Sequence, residues 1–202
     1  MSRYDLPEDY SVRLLRQSVR DSLMSHGEEA IILALYHASI DQDTQPRCSL
    51  CYDDVYHQPE DQTCTRCWGT TFEGGVKTVA RVWALFTDQD TNEEVLSKRG
   101  TFNPDTRNVQ TEYPPVILSG DYIVRVRRWS RKGHIPVEVE GFYQLGKVDP
   151  LSLRTGLRFG QYDWDYVSQT APVSEVTTSH VITQYPIVGQ AFRRLDEEAR
   201  VQ

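Results

Sequence analysis

Apolar residues first recur at helical spacing. Between Pro7 and Ser25, Val12, Leu15, Val19 and Leu23 fall three and four residues apart, interleaved with Arg13, Arg16, Gln17, Arg20 and Asp21, which predicts an amphipathic helix. Pro7 suits its first turn, Glu8 and Asp9 favour the positive end of its dipole, and Gly27 ends it. Such a helix lies on its own domain or docks on a partner through its arginines. The apolar run AIILALYHAS after Glu29 reads as a buried helix or a strand, and its shortness and the β-formers Ile31, Ile32 and Tyr36 favour the strand; the alternating TVARVWALFT after Gly75 then predicts a second strand whose ends meet the first across the segment between them. Further on, VQTEY, VILSGDYIVRVRRW, IPVEVEGFYQLG and SEVTTSHVITQYP are short strand patterns separated by Pro114-Pro115, Gly120-Asp121, Lys132-Gly133 and a loop from Lys147 to Tyr166. Tyr122, Val124 and Val126 face one way, and Ile123, Arg125 and Arg127 the other. The clearest hairpin runs from Tyr122 to Leu145 and turns at Ser130 to Gly133. The stretch from Asp88 to Asn108 is expected to be a polar loop or helical turn.

The expected fold is therefore mainly β, a small antiparallel barrel or sandwich with an N-terminal amphipathic helix. Residues 1–27 form the helical segment, 28–46 and 76–190 the β domain, 47–75 an insertion, and 191–202 a short charged helix or tail.

The insertion carries the most specific chemistry. All four cysteines lie in RCSLCYDDVYHQPEDQTCTRCWGTTFEGG, as the pairs Cys48/Cys51 and Cys64/Cys67 with twelve residues between them. Two CxxC turns aim four thiolates at one point, their backbone amides offset the charge, and no ligand position stays open for water, so the pattern reads as a structural Zn²⁺ ribbon. Two disulfides are the alternative reading. The polar, acidic segment between the pairs has little apolar surface of its own, so its fold depends on the metal. His57 reads as an exposed histidine beside a complete ligand set.

Net charge changes the picture of partners. The 202 residues carry −7 at pH 7, with an isoelectric point near 5.2, so overall charge does not attract nucleic acid. A local exception is the cluster Arg125, Arg127, Arg128, Arg131 and Lys132 around Trp129, a possible contact for DNA or a partner. No apolar run reaches the roughly 18 residues of a membrane span. The N-terminus MSRYDLPEDY lacks a hydrophobic signal region, and a reducing cytoplasm is expected.

Catalytic patterns fail on inspection. His26-Gly27-Glu28 followed by Pro46-Arg47-Cys48-Ser49-Leu50-Cys51 imitates a zinc deaminase, but an extra residue separates Pro46 from Cys48, and Cys64 and Cys67 would have no role. No phosphate loop, H-E-x-x-H or G-x-S-x-G occurs, and the expectation is a protein that is not an enzyme.

The order of helix, GEEAIILALYH strand, PRCSLCYDDVY…CTRCWGTTFEGG ribbon and VILSGDYIVRVRRW resembles the head-to-tail connection proteins of tailed bacteriophages, particularly those of actinobacterial hosts, over roughly Tyr4 to Val148. Trp68, Gly69, Phe72, Gly74 and Gly75 after the second pair are its most specific part. The resemblance implies a stopper or neck protein: a small β-barrel forming a homo-oligomeric ring of six or twelve copies, between portal and adaptor above and tail terminator below, with packaged DNA passing through. It implies a virion protein assembled in the host cytoplasm. Within that expectation Tyr162, Trp164 and Tyr166 are candidates for the ring interface, and a zinc-ribbon nucleic-acid-binding protein is the alternative.

Overall fold

A computed structural model describes residues 10–53, 58–59, 63–88, 95–97, 100–102, 107–158 and 161–194. Helix α1 spans Tyr10–His26, and strand β1 spans Glu28–Leu35 with Ala30 to Leu33 fully buried. A four-residue helix α2, Ala38–Asp41, precedes the cysteine segment, which contains the short strands β2, Tyr52–Asp53, and β3, Gln58–Pro59. The chain continues as β4 (Val76–Asp88), β5 (Val95–Ser97), β6 (Gly100–Phe102), β7 (Arg107–Glu112), β8 (Tyr122–Trp129), β9 (Pro136–Leu145), β10 (Asp149–Arg158) and β11 (Gln161–Glu175), then a 3-10 turn, Val181–Gln184.

Seven strands form one sheet in the order β10-β11-β7-β4-β1-β8-β9, and a further pairing of β11 with β9 closes six of them into a ring. Closure gives β9 a second partner and so removes that open edge, while β10, paired with β11 alone, stays at the end of the sheet. β1 and β4 are sheet neighbours, so the predicted meeting of these strands across the insertion is observed. By internal contact the chain divides into two compact units, residues 1–28, 83–116 and 146–173, and residues 29–82, 117–145 and 174–202.

In the first unit α1 buries Val12 and Leu23, but Leu15 is 42% exposed, so the apolar stripe is narrower than its spacing predicts. The helix stops at Gly27, whose N–H bonds the Leu23 carbonyl at 2.8 Å; a Cβ there would lie 2.5 Å from the Ala84 carbonyl oxygen. The first turn expected at Pro7 lies outside the described residues. Arg16 stacks 5.0 Å from the Tyr113 ring centre and donates to the Tyr166 carbonyl at 2.8 Å, while Arg20 sits 3.8 Å from Glu112. Two of the three helix arginines thus serve this unit itself.

Two sequence expectations are corrected here. The span from Lys147 to Tyr166 is no loop but most of the β10–β11 hairpin, paired from Asp149↔Thr170 to Arg158↔Gln161 with register shifts between Leu151 and Ser152 and between Thr155 and Leu157. Leu151, Leu153 and Leu157, and Tyr162, Trp164 and Tyr166, already alternate with polar residues. The segment from Asp88 to Asn108 contains the β5–β6 hairpin, with Val95 opposite Phe102. β11 also pairs β7 from Ser168↔Glu112 to Val173↔Arg107, and the buried Gln169 amide donates to the carbonyls of Glu112 and Pro115.

The second unit holds the larger core. Ile31 and Leu33 of β1 and Tyr122, Val124 and Val126 of β8 pack with Ile182, Ile187 and Phe192. The alternation predicted for β8 is observed, although Ile123 on the opposite side is buried too. β8 and β9 form the expected hairpin, turned by Ser130 N–H to Ile135 O and Gly133 N–H to Ser130 O, both 2.8 Å. Gly133 has φ +68°, a conformation that favours glycine.

The strand expected over SEVTTSHVITQYP is also corrected. β11 ends at Glu175, and the segment becomes a 3-10 turn capped by His180, whose Nδ1 accepts the Ile182 N–H at 3.2 Å. Val181 and Ile182 then drop into the core, which a half-exposed strand would not allow. The final segment is anchored in the same way. Phe192 is buried, and Arg194 donates to Glu29 at 2.9 Å; Glu29 also pairs with Arg81, whose guanidinium lies 4.2 Å from the Trp129 ring centre.

Candidate metal centre

The insertion folds around its cysteines. The Cys48 N–H bonds the Thr71 carbonyl at 2.8 Å, Arg47 bridges Phe72, and the Tyr52 N–H returns to the Cys48 carbonyl at 3.2 Å, closing the first turn. In the second, the Trp68 N–H bonds the Cys64 carbonyl at 2.9 Å and the Thr70 N–H the Cys67 carbonyl at 3.0 Å. Trp68, Gly69 and Thr71 have φ of 53°, 81° and 67°, a tight left-handed path that brings the chain back past Cys67. Arg47 braces both turns: its guanidinium stacks on Phe72 at 4.1 Å and Tyr52 at 4.8 Å and donates to Thr71 Oγ1 at 2.8 Å.

These turns bring all four Sγ atoms within 4.8 Å of one another. Cys48 and Cys64 are 3.9 Å apart and Cys51 and Cys67 3.2 Å, and all four are free, buried thiols. Thiolates about 2.3 Å from a central Zn²⁺ lie about 3.8 Å from each other in a tetrahedron, so the spacing fits such an ion. Burial, followed by the crowding of the other thiols, pushes the Cys51 thiol up. Burial also raises Cys67. At Cys64 burial acts upward too, but the amides of Cys67 and Arg66 and the neighbouring thiols together hold it below the ordinary thiol value. Four thiolates this close require a cation. Amides of Thr71 and Gly69 also address Cys67, supplying the outer hydrogen bonds that metal-bound sulfur needs.

The junction to the sheet explains the Gly-Gly pair. Gly75 has φ +64°, a Cβ there would fall 2.2 Å from the Cys67 carbonyl oxygen, and its own carbonyl accepts the Tyr36 N–H at 3.1 Å. Arg66 pairs with Glu73 across the same turn. A second clamp was not legible in the sequence: buried Asp41 accepts the His37 N–H at 3.0 Å and Lys77 Nζ at 2.5 Å, tying α2 to β4. Lys77 and the His37 amide hold the Asp41 carboxyl below its ordinary value of 3.8. Its contribution to stability is therefore full above that value and is lost as the pH falls below it, through the depressed native value. Asp41→Asn is expected to flatten the acid limb of the stability curve below about pH 4, measured by urea titration across pH; an unchanged acid limb would show that Asp41 does not set it.

The remaining predicted positions fall elsewhere. Arg125 pairs with Glu140 at 3.0 Å, and Arg127 and Arg128 share Glu138 at 3.4 and 3.8 Å, while Arg131 and Lys132 stand exposed at the β8–β9 turn. Trp129 is half-buried over Arg81. Tyr162 lies opposite Leu157 and Trp164 opposite Arg154 on the ladder, and Tyr166 is 38% exposed with its ring 5.4 Å from Tyr113. His57 lies outside the described residues. Among the described residues no helix is long and apolar enough to cross a membrane. Neither a protein-family model nor a curated protein matches this chain.

Proposed function

We propose that the chain is a structural head-to-tail connector of a tailed-phage virion, of the stopper or neck kind, with Zn²⁺ as a structural staple. The observation that carries this reading is the place of its most specific residues. Trp68, Gly69, Phe72, Gly74 and Gly75, which bear the resemblance, form the joint between the four-thiol cluster and the strand that enters the closed sheet. A closed sheet with a metal-stapled insert is suited to binding rather than turnover.

On this reading the chain is no enzyme. Six or twelve copies form a ring that meets portal and adaptor on one side and tail terminator on the other. Its net charge of −7 lets packaged DNA slide past without adhering. The nucleic-acid-binding alternative loses support from the glutamates that already pair Arg125, Arg127 and Arg128. The deciding measurement is native mass with metal quantified in the same sample, alone and with phage portal or tail components added. A ring-sized mass with about one zinc per chain is expected. A zinc-bearing monomer indifferent to those components would overturn the connector reading.

A further inference from the structure

The four sulfurs are not equivalent. Cys51 and Cys67, one from each turn, are neighbours at 3.2 Å, and Cys48 and Cys64, again one from each turn, lie 3.9 Å apart. Exposure separates them as well. Cys48, Cys51 and Cys67 are at most 2% exposed, whereas Cys64 is 9% exposed. Oxidation of a thiol follows its access to solvent, so Cys64 is the sulfur that a small oxidant meets first.

A disulfide needs its sulfurs about 2.0 Å apart, so a pair already in contact closes with the least movement of the turns that carry it. A bond inside either Cys-x-x-Cys turn would leave the two turns untied from each other. A crosswise bond ties them, and both crosswise pairs join positions 16 residues apart. Protein groups already dock the turns face to face: the Cys48 N–H on the Thr71 carbonyl and Arg47 on Thr71 Oγ1 cross from the first turn to the second.

A chain that works in a released particle leaves a reducing cytoplasm, where thiols persist, for an oxidising medium, where disulfides persist. We infer that the cluster is a redox-exchangeable staple: a peroxide oxidises it at Cys64, the metal leaves, and the disulfides Cys48–Cys64 and Cys51–Cys67 take its place. The inference rests on the connector reading for that change of medium and gives the metal centre a second, covalent state. The Cys64 sulfur attacks one peroxide oxygen, the O–O bond breaks, and the departing hydroxide is protonated to water, leaving a sulfenic acid on Cys64. The Cys48 sulfur then attacks the Cys64 sulfur, the S–O bond breaks, and the second hydroxide takes a proton. A second peroxide does the same at Cys51 and Cys67. Four thiolates thus lose four electrons, two peroxides take these up with four protons to give four waters, and the divalent ion is released.

The test treats the zinc-loaded full-length chain with two equivalents of hydrogen peroxide, measures released zinc and maps the disulfides by peptide mass. Cleavage after Leu50, Tyr52 and Arg66 puts the four cysteines on separate peptides, so every pairing is distinguishable. The expected result is about one zinc released per chain, both crosswise disulfides, and residues 48–72 still protected from protease in the presence of chelator, where the reduced, chelated chain is cut. With one equivalent, Cys48–Cys64 is expected to form ahead of Cys51–Cys67, and the reverse order would overturn Cys64 as the point of attack. Disulfides within the turns or between chains, sulfinic acids in their place, or an oxidised insert cut like the reduced one would overturn the staple. The connector reading is decided separately, by native mass with portal and tail components, and stands or falls whichever disulfides form.

Discussion

Cys67→Ser is expected to reduce bound metal from about one ion per chain to under a tenth and to open residues 48–72 to protease, leaving the β8–β9 hairpin protected. Among its described residues the insert has little apolar surface to hold its shape. Among its described residues the buried side chains are the cysteines and Phe72, and its strands β2 and β3 are two residues each. Ligation contributes about 10 to 16 kcal/mol in small zinc domains, far beyond what Phe72 and the Arg47 stack supply. Losing one of four thiolates also leaves the other three crowded, with Cys51 only 3.2 Å from the vacated position. Chelation of the wild type should give the same cleavage pattern, reversed by adding zinc. Limited proteolysis with metal analysis reads both, and a Cys67→Ser protein as metal-rich and as resistant as wild type would refute the site.

The second large effect is expected at Glu29. Its carboxylate is shared by Arg81 and Arg194, two side chains left only 9% and 10% exposed. Removing one member of a buried charge cluster costs about 3 to 5 kcal/mol, because the others keep their desolvation penalty and lose their attraction. Glu29→Ala should therefore lose about 3 kcal/mol in urea unfolding, more than Phe192→Leu at the neighbouring anchor. Adding Arg81→Met to Glu29→Ala should recover part of the loss, since Met leaves no buried charge there and fills space over Trp129. A Glu29→Ala loss below about 0.5 kcal/mol would mean that the cluster contributes nothing to the fold.

These two cases mark what a sequence discloses. The cysteine spacing was legible because four thiols at two short intervals admit few geometries. The β1 strand and the β8–β9 hairpin were legible because apolar density and a Lys-Gly turn coincide. Glu29, Arg81 and Arg194 were not, since charged residues read as surface until the fold brings them together; their separations of 52 and 165 residues carry no local signal. The β10–β11 hairpin was missed for a different reason. Arg154, Asp163 and Asp165 between its apolar positions made a regular alternation look like a polar loop. His180 misled in the opposite direction, because β-branched neighbours promised a strand where its ring instead caps a turn.

The insertion sits between β1 and β4, which are neighbours in the sheet, and this has a consequence for how fast the protein forms. Pairing those strands requires the chain from Tyr36 to Gly75 to close on itself. A metal ion bound early, across Cys48 to Cys67, roughly halves that loop before any strand has paired, and halving a loop lowers its closure cost by about 0.6 kcal/mol, roughly threefold in rate. On the proposed staple reading, metal supply during synthesis becomes a timing signal for the pairing of β1 with β4.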